Sequence, residues 1–124
     1  MERRKLLLVD DDARIAKLII RAFGRAGFEV QAVGDIADLR AVVEQFAPDA
    51  ILLDENLPSS RGTELVSQAR RDGVLRTNVV VIGWSGDDPP AHYRELGFDD
   101  FIAKPFDLAT LVTLVEDLLA QARP

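Results

Sequence analysis

Five ionisable side chains stand out by type and setting. Asp10, Asp11 and Asp12 close one apolar run, Asp54 closes another, and Lys104 follows a third. The runs are short: Lys5 to Val9, Ile51 to Leu53, and Phe101 to Ala103. Apolar runs of this length read as strands buried on both faces. Open α/β sheets hold their ligands at the carboxyl ends of such strands. If these three ends share one crevice, several carboxylates and one ammonium meet there. Clustered carboxylates repel one another and call for a cation. An all-oxygen donor set suits Mg²⁺, which keeps several waters and takes one or two carboxylates together with phosphate oxygens. With one histidine and no cysteine in the chain, zinc and redox metals find no ligand cluster. A carboxylate beside Mg²⁺ is a competent nucleophile toward a phosphoryl group. The cation and Lys104 would then neutralise charge on the transferred oxygens.

Those ends must be positioned by regular elements. After the first strand, Ile15, Leu18, Ile19, Ala22 and Phe23 recur at helical spacing. Asp11 or Asp12 is placed to cap that helix, with Asp12 favoured, and Gly24 or Gly27 to end it. Phe28 to Val33 alternates and predicts a strand with one wetter face. Ile36, Leu39, Val43 and Phe46 predict a helix, with Asp35 placed to cap it and Pro48 to stop it. The turn carrying Asn56 and Pro58 follows the Asp54 strand, and Leu65, Val66 and Ala69 mark the next helix. Val79 to Ile82 is a continuous apolar strand, whereas Gly83 to Pro90 reads as loop by composition. Only a short helix fits between Pro90 and Gly97. Asp107 caps a final helix lined by Leu108, Leu111, Val115, Leu118, Leu119 and Ala122. Five strands alternating with five helices, the fourth shortened, predict an α/β fold: a doubly wound, five-stranded parallel sheet with helices on both faces.

The chain has 124 residues, enough for one domain with a real core, since 48% are hydrophobic. No apolar window is long enough for a membrane span. The basic start, Met1 to Lys5, precedes an apolar run too short for a signal peptide. The absence of cysteine fits a reducing cytoplasm. A net charge of -6 argues against direct binding to nucleic acid, which relies on attraction to phosphate.

Three segments together carry a family resemblance. They are Val9-Asp10-Asp11-Asp12, then Leu52 to Pro58 with Gly62 and Glu64 beyond, then Gly97 to Phe106. In this order and at these separations the whole chain, 1–124, resembles a receiver domain of the two-component response regulators. The resemblance implies a flavodoxin-like strand order 2-1-3-4-5. It makes Asp54 the phosphoacceptor, and Asp10 and Asp11 the acidic pair, with at least Asp11 binding Mg²⁺ directly. Asn56 is similar to the residue whose backbone carbonyl completes the metal site. Lys104 resembles the lysine that pairs with the phosphoryl group, and the Lys104–Pro105 bond resembles the family's usual cis bond. Phe101 stands where the family keeps its rotating Tyr or Phe. The partners implied are a histidine kinase or phosphotransfer protein and a downstream protein target. The chain's own chemistry would be limited to accepting the phosphoryl group and later hydrolysing it.

One departure from the family lies after the fourth strand, where a Thr or Ser normally bonds the phosphoryl group. The apolar pattern and the chain length to Lys104 put Gly83 at that position, whereas the chemistry favours Ser85. This departure keeps open a second function, a receiver-like interaction module that signals without phosphorylation. An aspartate-based phosphatase fits less well, because Arg14 stands where that scheme wants Thr or Val. A dinucleotide-binding enzyme lacks its glycine-rich turn after the first strand. Taken alone, each residue has a plainer role: Asp54 as a turn cap, Asp12 as a helix cap, Lys104 as a solvated lysine. His92 reads as a surface residue and Trp84 as packing.

Overall fold

A computed structural model describes residues 3–36, 39–86 and 88–121. Strand β1 (Arg4–Val9) leads into helix α1 (Ala13–Arg25), and β2 (Phe28–Val33) into α2 (Arg40–Phe46). Strand β3 (Ala50–Asp54) leads into α3 (Gly62–Arg71), β4 (Val80–Ser85) follows, and β5 (Asp100–Ala103) leads into α4 (Leu108–Gln121). The five strands are parallel in the order β2-β1-β3-β4-β5.

The near-continuous apolar runs of the inner strands follow from burial on both faces. Alternate residues supply two cores. Leu7, Val9, Ile51, Leu53 and Val81 face one side, under α2 and α3 through Val43, Phe46, Leu65 and Val66. Leu6, Leu8, Leu52, Ile82 and Trp84 face the other, under α1 and α4 through Ile19, Phe23, Leu111 and Val115. Edge strand β2 is the wetter one its sequence predicts: Phe28 is buried, Val30 and Val33 are half-buried, and Glu29, Gln31 and Ala32 are exposed. Because successive connections run in opposite directions from β1 and β3, the carboxyl ends of those two strands frame a crevice.

The structure refines three expectations, and two of them, the end of β4 and the capping of α2, are corrected. First, β4 does not stop at Ile82. It runs to Ser85, because β3 and β5 supply ladder partners to the glycine-containing tail: Leu53 and Phe101 flank Gly83, and Asp54 and Ile102 flank Trp84. Second, the shortened fourth helix is reduced to a run of turns over 91–97, in which the Leu96 N–H donates to the His92 carbonyl at 3.1 Å. The described residues therefore hold four α-helices. Third, Asp35 does not cap α2, which begins at Arg40 with no side-chain cap bond. The Asp35 carboxylate instead accepts from the Ser59 N–H at 2.9 Å and from the Ser59 hydroxyl, tying two loops together above the sheet.

Candidate functional site

The register pairs Val9 with Leu53, so the next residues, Asp10 and Asp54, leave neighbouring strands side by side. Both are buried, at 4% and 6% exposure, and Asp11 is exposed beside them. One carboxylate oxygen from each of Asp10, Asp11 and Asp54 lies within 4.8 Å of the others. Lys104, directly after β5, reaches in from the far side: its Nζ is 3.3 Å from Asp54 Oδ2 and 3.5 Å from Asp10 Oδ2. The Lys104–Pro105 bond is cis.

Backbone donors orient the two buried acids. The Asn56 N–H donates to Asp54 Oδ1 at 3.0 Å, and the Asp12 N–H to Asp10 Oδ1 at 2.8 Å. That leaves Asp10 Oδ2 buried with no hydrogen-bond donor. Burial pushes the Asp10 carboxyl above its usual range, and the Asp12 N–H and the Lys104 charge only partly oppose this. A buried carboxylate oxygen with no hydrogen bond and only the Lys104 ion pair at 3.5 Å, set among hard oxygen donors, fits Mg²⁺. Asp12 stands apart from the cluster as the α1 cap, accepting from the N–H groups of Arg14 and Ile15 at 2.9 and 3.4 Å. The Arg14 N–H holds the Asp12 carboxyl below its usual range.

The raised Asp10 group carries a sign that can be checked. A carboxyl that is harder to ionise when folded makes the folded state bind more protons, so stability falls as pH rises through its range. The penalty is absent below the unfolded carboxyl value and complete above the folded one. With chelator present, Asp10→Asn is therefore expected to melt higher than the unsubstituted chain at neutral pH. The difference should close as pH falls through the carboxyl range. Thermal melts across pH in chelator check this, and a gap that persists in acid would remove the burial cause.

The two candidates after the fourth strand separate in space. Gly83 lies within β4, and a Cβ there would meet the Phe101 ring at 2.3 Å and Phe98 at 2.8 Å. Ser85 ends the strand, is buried, and its Oγ accepts from the Asn56 side-chain amide at 3.4 Å. Alternation along the strand turns Trp84 to the opposite face, so Ser85 need not reach across it. Phe101 is buried, packed on Phe98 and Tyr93 at centroid distances of 5.3 and 6.0 Å. Trp84 is fully buried, in keeping with a packing role, and His92 is exposed.

Two supporting residues had no signal in the local pattern. Glu55 is buried and accepts from the Thr63 N–H at 2.7 Å and its hydroxyl at 3.1 Å. It thereby caps α3, whose own cap residue, Arg61, makes no side-chain bond to the helix and pairs with Glu55 at 3.5 Å. Arg70 donates to the carbonyls of Val79 and Gly97 and pairs with Asp99 at 3.7 Å, fastening the start of β4 to the turn before β5. Burial lowers its guanidinium from the ordinary value, and Asp99 opposes that. Lys104 Nζ also sits 4.9 Å from the centre of the Trp84 ring. The Arg70 contacts to Gly97 and Asp99 and the Lys104 contact to Trp84 link residues far apart in the chain.

Comparison with known proteins gives consistent matches. The family described as the response regulator receiver domain matches residues 6–116. The chain is 32% identical over 126 residues to the phosphate regulon transcriptional regulatory protein PhoB of Pseudomonas aeruginosa, covering 100% of this chain and 55% of that protein. It is 37% identical over 116 residues to the transcriptional regulatory protein PrrA of Mycobacterium tuberculosis, covering 93% of this chain and 49% of that one. The chain thus spans about half the length of these two relatives. The receiver domain of the Francisella response regulator 1452 superposes with a TM-score of 0.85 at 26% identity, covering 97% of this chain and 99% of that one. With the acidic cluster, the strand order and these matches together, the chain belongs to the response regulator receiver domains of two-component systems.

Proposed function

We propose that this domain is a phosphoacceptor, taking a phosphoryl group onto Asp54 from a histidine kinase or phosphotransfer protein in the cytoplasm. The observation that carries this reading is the Lys104 ammonium set between the buried carboxylates of Asp54 and Asp10. An Asp54 carboxylate oxygen attacks the phosphorus of a phosphohistidine, and the O–P bond forms as the P–N bond breaks and imidazole leaves. Asn56 orients the nucleophile through its backbone N–H, and Lys104 is close enough to shift from Asp54 toward the incoming oxygens. Mg²⁺, held by Asp10, Asp11, Asp54 and the Asn56 carbonyl, would supply further charge neutralisation. Ser85, at the strand end beside Asn56, is the hydroxyl nearest in role to the family's phosphoryl-binding Thr or Ser, and Gly83 is not. The acquired group is later hydrolysed, and the signal passes to a downstream protein by surface contacts. Direct nucleic-acid binding by this acidic domain is not part of the reading.

A second reading, an interaction module that works without phosphorylation, is favoured by one observation. Phe101 is wedged between Gly83 and the rings of Phe98 and Tyr93, so the element that turns in the family has little room. One experiment separates the two readings. The protein is incubated with acetyl phosphate and Mg²⁺ and followed by intact mass. Gain of one phosphoryl group that depends on Mg²⁺ supports the first reading, whereas an unchanged mass leaves the second.

A further inference from the structure

We infer that Trp84 is a positioning residue for Lys104: its indole face fixes the side from which the ammonium approaches Asp54. The inference deepens the phosphoacceptor reading, and its kinetic arm rests on that reading. Three features of the fold support it.

The ring is enclosed by packing. Trp84 is 0% exposed, seated in the core under α1 and α4, and stacked on Phe106 with centroids 4.7 Å apart and planes at 28°. The ring is also tied to the nucleophile. Trp84 pairs directly with Asp54 in the ladder, and its carbonyl accepts from the Glu55 N–H at 2.9 Å, so the sheet sets the spacing between indole and carboxylate. Finally, the ammonium sits against the ring face, 4.9 Å from the centroid, while remaining 3.3 Å from Asp54 and 3.5 Å from Asp10.

A lysine stem is long, and ordering it costs rotamer entropy. Two carboxylates attract the ammonium but do not choose its direction. The indole supplies that choice, by covering the stem and by attracting the cation electrostatically. The indole also carries a cost. Trp84 Nε1 is buried with no hydrogen-bond partner, an orphan that phenylalanine would not create. A core position that needed only apolar volume would be better served by a ring without that N–H. Tryptophan offers the best face for a cation.

Two measurements on unphosphorylated protein test the contact itself. By NMR, the ε-methylene protons of Lys104 are expected upfield of the ordinary lysine range, and Trp84→Leu should return them to it. Trp84 is the only tryptophan, so its emission is unambiguous. Lys104→Met, which keeps the stem and removes the charge, is expected to change that emission. Labelling by acetyl phosphate is expected to slow roughly three- to tenfold in Trp84→Leu, while Trp84→Phe, which keeps a ring face, stays within about twofold. Lysine protons at ordinary positions, emission indifferent to Lys104→Met, or wild-type labelling in folded Trp84→Leu would each overturn the inference. If Trp84→Leu does not fold, the emission of Lys104→Met decides the matter. If the unsubstituted protein takes no label, the phosphoacceptor reading falls, while the NMR and emission measurements still decide the contact.

Discussion

Replacing Asp54 by asparagine is expected to abolish labelling by acetyl phosphate while leaving a folded domain. An amide oxygen is a poor nucleophile toward phosphorus, so the loss should be complete within detection. The fold should tolerate the change, because the Asn56 N–H can still donate to the amide oxygen and Lys104 keeps Asp10 as a partner. Losing the Lys104–Asp54 contact should cost about 1 kcal/mol or less, because the lysine is partly exposed. Intact mass and a urea melt on the same sample measure both effects. A label that persists, and that maps to the exposed Asp11 within the same cluster, would move the phosphoacceptor away from Asp54.

A single methyl group added at Gly83 is expected to have the largest effect on stability. The added carbon would lie 2.3 and 2.5 Å from two Phe101 ring atoms and 2.8 Å from Phe98, and no flexible chain end is there to yield. Both rings belong to the core under α2 and α3. Overpacking of this kind costs roughly 1–3 kcal/mol, and each kcal/mol lowers the melting temperature of a domain this size by about 4 °C. Gly83→Ala should therefore melt well below the unsubstituted protein, and Phe101→Leu in the same chain should recover part of the loss. Ser85→Ala, by contrast, should cost less than Gly83→Ala, since it forces no atom into the core and the Asn56 hydrogen bond it removes is long, at 3.4 Å. An unaltered melt in Gly83→Ala would mean that the space opposite Gly83 is open. The position would then be free to carry the hydroxyl that the chain pattern puts there.

The difference between Gly83 and Ser85 shows where sequence reading stopped. Gly-Trp-Ser-Gly followed by acids and prolines has the composition of a loop, and four apolar residues already complete an ordinary strand. Yet β4 continues through Ser85, because β3 pairs with it as far as Trp84 and β5 as far as Ser85. Strand propensity at a glycine is weak, and ladder partners overrode it. Asp35 teaches the same lesson. It has the right type and spacing for a cap, but the Ser59 N–H and hydroxyl, distant in the chain, bind it first.

What the sequence determined by itself was the five strands, the helices other than the one that is a run of turns over 91–97, the two-sided burial of the inner strands, and the identity of the acids and the lysine at their ends. Those features are local: an apolar run shorter than a helix, a charge directly after it, and a cap or breaker beyond. Tertiary structure alone decided that Lys104 lies between Asp54 and Asp10, that Trp84 stands behind it, and that Ser85 rather than Gly83 meets Asn56. These are relations between side chains on different strands, set by ladder register and by which face each residue takes. A change of one residue in register reverses the face, and no local pattern encodes that choice.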